Sequence, residues 1–116
     1  MMQIVGSEPS LALTEMGEEC VVMNGYIHKV LMLNKDSRRM DSEDKPDGRG
    51  GIYELKDIER KADMLILEVF DSGLIGEGAF HFIAYAFHKL LSDDATLLPM
   101  GATVSKNATA CSQTMA

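Results

Sequence analysis

The run Ala62-Asp63-Met64-Leu65-Ile66-Leu67 leaves the chain few ways to fold. From Met64 to Leu67 the apolar residues are continuous rather than alternating, the pattern of a strand covered on both faces. The run stops at a carboxylate, Glu68, and a loop with glycines at 73, 76 and 78 follows. That loop carries Asp71 and ends in a second glutamate, Glu77. A strand covered on both faces needs helices packed on it, and the rest of the chain must supply them.

The remaining segments alternate as that requirement demands. Residues 3–6 read as a short strand. Ser10 is suited to cap a helix in which Leu13, Met16, Cys20 and Met23 recur at spacings of three and four. Gly17 weakens this helix by about 1 kcal/mol relative to alanine, and Asn24-Gly25 stops it. Lys29–Asn34 has the length and apolarity of a second strand, followed by the charged segment Lys35–Asp41. Residues 42–51 are polar and rich in turn formers, which predicts a surface loop. After the Glu68–Glu77 loop, residues 78–91 read as a helix with Ala79, Ile83, Ala86, Phe87 and Leu90 on one side, closed by Asp93-Asp94. Ala95–Pro99 is a further short apolar run, and Ala102–Val104 is read as the start of another strand. Strand, helix, strand, loop, strand, helix, strand is the order of an α/β fold built on a parallel sheet.

Composition narrows the function classes. With 116 residues, 46% apolar and 25% charged, the chain matches one domain or part of one. A formal charge of −7 argues against direct nucleic-acid binding, which needs clustered Lys and Arg. No apolar run reaches the roughly 18–20 residues that span a bilayer, and the N-terminus lacks signal-peptide character. A cytoplasmic or nuclear location is the resulting expectation. Cys20 and Cys111 match no metal or redox spacing and are expected to be reduced thiols, with Cys20 in the helix core.

In parallel α/β sheets ligands gather at the carboxyl ends of strands, and Glu8, Asp36 and Glu68 all stand there. Glu8 could accept hydrogen bonds from a ribose, or it could be a solvated acid at a helix start. Glu68 and Glu77 could converge on a guanidinium, a planar cation with five donors in a fixed fork. Alternatively, Glu68 caps local backbone N–H groups and Glu77 starts a helix, where acids suit the dipole. A metal site is disfavoured, because hard cations gather more oxygen ligands at closer spacing.

The segment Glu68-Val-Phe-Asp-Ser-Gly-Leu-Ile-Gly-Glu77-Gly78 resembles the double-glutamate loop of the protein arginine methyltransferases, whose two glutamates flank eight residues, as here. Ile4-Val-Gly-Ser-Glu8 is similar to the segment after that family's cofactor glycine motif. Asn34-Lys-Asp-Ser37 falls where the family places its adenine-contacting turn. Leu97-Leu-Pro99 and Ala102-Thr-Val104 resemble the exit into the family's β-barrel. Phe70-Asp71 and Leu74-Ile-Gly-Glu77-Gly78 look most like the seventh, monomethylating branch.

This resemblance implies a partial Rossmann-like class I S-adenosylmethionine-dependent methyltransferase fold over residues 1–99, with its central first strand and glycine motif missing. Residues 100–116 would begin the C-terminal β-barrel. It further implies that Glu68 and Glu77 are catalytic, that Glu68, Asp71 and Glu77 bind substrate, and that Glu8, Asp36 and Ser37 hold S-adenosylmethionine. Arg38 departs from the family, several members carrying an acid near the adenine there. The implied partners are arginine-containing proteins, such as Gly/Arg-rich or histone tails, and a second subunit in a dimer or pseudo-dimer. The competing reading is a degenerate, non-catalytic methyltransferase fragment that serves as an interaction module.

Overall fold

A computed structural model describes residues 3–105 and shows an α/β chain with parallel strands in two separate sheets and two helices. Strand β1 (Ile4–Ser7) pairs in parallel with β2 (Val30–Leu33), Ile4 opposite Val30 and Ser7 opposite Leu33. The crossover between them is helix α1 (Leu11–Met23). Further along, β5 (Ala62–Ile66) pairs in parallel with β6 (Leu91–Leu98), joined through helix α2 (Ala79–Lys89). Between the two parallel pairs lies a small antiparallel hairpin of β3 (Lys45–Pro46) and β4 (Ile52–Glu54). The strands expected to share one parallel sheet are therefore divided between two two-stranded sheets, and the hairpin forms a third. Among the described residues, no helix is long and apolar enough to cross a membrane.

The core is small. Met40, Ile58 and Leu90 are buried together, with Val5, Leu33 and Tyr85 packed against them. Tyr85 OH donates to the Met40 carbonyl at 2.8 Å, and Ser42 Oγ donates to the Lys89 carbonyl at 2.7 Å, so α2 is held against the segment following β2.

Helix α1 begins as the sequence predicts, with Ser10 Oγ accepting from Leu13 N, and ends at Asn24 before Gly25 at φ 74°. Its inward face is not the predicted stripe. Thr14 is buried at 3% exposure, whereas Leu13, Met16 and Met23 are exposed at 53%, 60% and 84%, and Cys20 lies on the surface rather than in a core. The reason lies in β2. Met32 projects between Gly6 and Gly17, where a Cβ on Gly17 would come within 2.9 Å of Met32 Cε, so a small residue lets the helix approach the strands. The predicted helical cost of Gly17 is the cost of that approach.

Thr14 Oγ1 lies 3.0 Å from the Glu8 carbonyl and 2.9 Å from that of Ser10, and Asn34 Nδ2 reaches it at 3.4 Å. Thr14→Val keeps the shape but removes these bonds. In the full-length protein it is expected to cost about 1 kcal/mol in denaturant titration, with Thr14→Ser much closer to wild type. A Thr14→Val variant as stable as wild type would show that these bonds add nothing.

Four further expectations are corrected. The surface loop at 42–51 contains part of a hairpin, closed where Asp47 Oδ1 accepts from Arg49 N and Gly51 N. Strand β5 is covered on one face only: Leu65 is half-buried, while Met64 and Ile66 are 50% and 72% exposed. Asp93 and Asp94 do not end the helix. They lie in β6, in the irregular stretch between the Ala62–Leu91 and Met64–Thr96 pairs, which leaves both acids exposed instead of registered against the apolar β5. Residues 102–104 form no strand; most of the 100–116 segment, with Cys111, lies outside the described residues.

Candidate functional site

The carboxyl end of the β1–β2 pair gathers one set of candidate residues. Glu8 N donates to the Leu33 carbonyl at 3.0 Å, and Ser7 Oγ donates to the Lys35 carbonyl, so the two strand ends leave the sheet tied together. Asn34 Nδ2 then reaches back to the carbonyls of Glu8 and Pro9, at 3.1 and 3.0 Å. These bonds bring Glu8 and Asp36 to one edge. Glu8 Oε1 accepts from Ser10 N at 2.8 Å, a local bond at the helix start, and among the described residues its second oxygen has no protein donor.

Asp36 caps a 3₁₀ turn at Ser37–Arg39 by accepting from Arg38 N at 2.9 Å. It also holds the Arg38 guanidinium through both oxygens, with Nε at 3.1 Å and Nη2 at 2.6 Å. The hydrogen bonds from Arg38 hold the Asp36 carboxyl below its ordinary range, burial opposing them. The stability linked to this shift is therefore present above the ordinary aspartate pKa and is lost as pH falls through the lowered one. Arg38 also lies 4.5 Å from the Phe82 ring centroid, a cation–π contact to α2. Arg38 thus ties the Asp36 turn to α2, the helix that follows the Glu68–Glu77 loop.

That loop leaves the carboxyl end of β5. The ladder continues one residue beyond the strand, Leu67 N donating to the Leu98 carbonyl at 2.9 Å, and Glu68 is the next residue. Two turns follow, closed by Leu74 N to the Asp71 carbonyl at 2.9 Å and Gly78 N to the Ile75 carbonyl at 3.0 Å. Asp71 Oδ1 accepts from Gly76 N at 3.1 Å. Glu68, Asp71 and Glu77 are exposed, and neither glutamate side chain joins a hydrogen bond or ion pair among the described residues. Glu68 therefore does not cap neighbouring backbone N–H groups. Helix α2 begins after Gly78, two residues beyond Gly76. Among the described residues, no hydrogen bond or ion pair links this loop to Glu8, Asp36 or Ser37.

A charged network escaped the sequence reading. Lys35 Nζ contacts Asp57 at 2.9 Å and Glu54 at 3.1 Å, while Lys45 Nζ contacts Asp41 at 2.8 Å and Glu54 at 2.9 Å. Asp57 Oδ2 also accepts from Asp41 N at 2.8 Å. The Asp57 hydrogen bond, more than Glu54, raises the Lys35 pKa against the effect of burial. Asp41, then Glu54, lifts that of Lys45 above the lysine range. This network fastens the hairpin beside the Asp36 turn. No local pattern announces Asp57, which meets Lys35 across 22 residues; an acid-rich stretch facing two lysines was the only signal.

No family model matches the chain. Curated proteins do. The chain is 30% identical over 108 residues, 93% of its length, to protein arginine N-methyltransferase 7 of Anopheles gambiae. It is 34% identical over 92 residues, 79% of its length, to the proteins of that name from Xenopus laevis and Mus musculus. The chain is a relative of the protein arginine N-methyltransferases. It spans 14% of the Anopheles gambiae methyltransferase and 12% of the other two.

Proposed function

We propose that this chain forms part of a protein arginine methyltransferase that transfers a methyl group from S-adenosylmethionine to a guanidinium nitrogen of a protein substrate. The observation that carries this reading is the loop after β5, which presents Glu68 and Glu77 exposed and, among the described residues, unpaired, with eight residues between them, in a relative of that family. Two carboxylates without protein partners can bind the guanidinium fork through charge-assisted hydrogen bonds. By drawing positive charge towards the bound nitrogens, they leave electron density on the remaining one, and they fix its direction of attack.

S-adenosylmethionine supplies an electrophilic methyl on a sulfonium, whose carbon–sulfur bond breaks as the guanidinium nitrogen takes the methyl and later releases its proton to solvent. Glu8 and Asp36 follow the carboxyl ends of the paired strands β1 and β2, the edge where ligands gather in a parallel fold. The unbonded oxygen of Glu8 suits the ribose hydroxyls, and Asp36 with Ser37 suits the adenine edge, Asp36 sharing its oxygens with Arg38. In this reading the two parallel pairs are halves of one Rossmann-like sheet, with a further strand entering between β1 and β5. Exposed Ile4 and Met64 on those strands support that placement. One methyl per arginine is the expected product.

The direct test incubates the full-length protein with methyl-labelled S-adenosylmethionine and Gly/Arg-rich or histone-tail peptides, and reads the products by mass spectrometry. Monomethylarginine is expected. Absence of any methylarginine from a protein that binds the methyl donor would favour the interaction-module reading instead.

A further inference from the structure

The double-glutamate loop contains a third carboxylate that is engaged inside the loop. Asp71 closes the chain twice, its carbonyl accepting from Leu74 N and its Oδ1 from Gly76 N. Between these bonds, Leu74 is held at φ 72°, a left-handed backbone disfavoured for any residue with a Cβ. A Cβ on Gly76 would overlap Asp71 Oδ2, so the carboxylate rests directly on the glycine backbone. Glu77 follows immediately, inside the Ile75–Gly78 turn. The position of Glu77 therefore depends on where Asp71 anchors Gly76.

Resting on the arginine-clamp reading, we infer that Asp71 is a positioning residue that sets Glu77 relative to Glu68 by holding the Gly76 N–H. Its effect on the substrate passes through the loop backbone. The hydrogen bond needs an oxygen at Oδ1 but not a negative charge, and this separates the role from a direct ionic contact with arginine. A contact of that kind would depend on charge and would appear in the substrate KM; an anchor aims the clamp and would appear in kcat.

The test uses the full-length protein, with hydrogen exchange resolved to the Gly76 amide and steady-state kinetics on an arginine peptide. Asp71→Ala is expected to speed Gly76 exchange roughly tenfold, the loss of one hydrogen bond, and to lower kcat more than it raises KM. Asp71→Asn, which keeps the acceptor, is expected to rescue both. Gly76→Ala, with Asp71 intact, is expected to reproduce the kcat loss. The inference is overturned if Gly76 exchange is indifferent to Asp71→Ala, if Asp71→Asn fails as far as Asp71→Ala with the loss in KM, or if Gly76→Ala has wild-type kcat. Absence of methyl transfer by the wild-type enzyme would instead overturn the clamp reading. The Gly76 exchange rates would then decide the anchor alone: acceleration supports it and indifference overturns it.

Discussion

Replacing Glu68 or Glu77 by glutamine in the full-length protein is expected to cut methyl transfer by about 10²–10³-fold, the cost typical of losing one preorganised electrostatic contact. S-adenosylmethionine affinity should stay near wild type. Glutamine has nearly the same size as glutamate, so the exposed loop keeps its shape. What changes is the face offered to the substrate. A carboxylate accepts at two oxygens, whereas an amide accepts at one and turns an N–H₂ donor towards a group that has only donors. The fork is then held at one point instead of two, and the charge that drew the cation away from the attacking nitrogen is gone. The affinity arm matters because Glu8, Asp36 and Ser37 lie at the end of the other strand pair. No hydrogen bond or ion pair among the described residues links them to the loop. Unchanged turnover in either variant would sink the clamp model, and a large loss of S-adenosylmethionine binding would show that the glutamates belong to the donor site.

The 116-residue polypeptide on its own is expected to show no cooperative thermal transition and no micromolar affinity for S-adenosylmethionine. Its surface is 9351 Å², against about 6,200 Å² for a compact monomer of this mass. Exposed apolar side chains are part of the difference. Leu13, Met16 and Met23 on α1 and Met64 and Ile66 on β5 are all at least half exposed. Each two-stranded sheet is marginal alone, and one three-residue cluster with its partly buried neighbours holds them together. Calorimetric titration and a melting scan check the two halves of this expectation. A sharp transition with micromolar binding would mean that the small core suffices.

The strand ends, the helix starts and the acidic loop were legible because their signals are local. Ser10 three residues before Leu13 marks a cap, and the run Met64–Leu67 marks a strand whatever lies around it. The inward face of α1 was not legible. Periodicity favoured Leu13, Met16, Cys20 and Met23 on hydrophobicity alone, while the face in use, through Thr14 and Gly17, was selected by Met32 on another element and by carbonyls that Thr14 satisfies. The hairpin at 45–54 escaped for a similar reason. Its strands are too short and polar to show a period of two, and ion pairs from Lys35 and Lys45 fasten it. Among the candidate site residues, the sequence could set Glu68 and Glu77 with eight residues between them. It could not show that Asp71 is bonded to Gly76, because an aspartate beside three glycines reads equally well as a solvated turn residue.

Leu74 sets a limit on shortcuts to this site. A leucine at φ 72° carries roughly 1–2 kcal/mol of local disfavour, so residues 68–78 do not choose this shape by themselves. The β5 ladder at one end and α2 at the other impose it. An eleven-residue synthetic copy of the loop would carry every acidic group and none of their arrangement, making it a poor mimic of the proposed clamp and a poor immunogen for antibodies meant to recognise the folded protein.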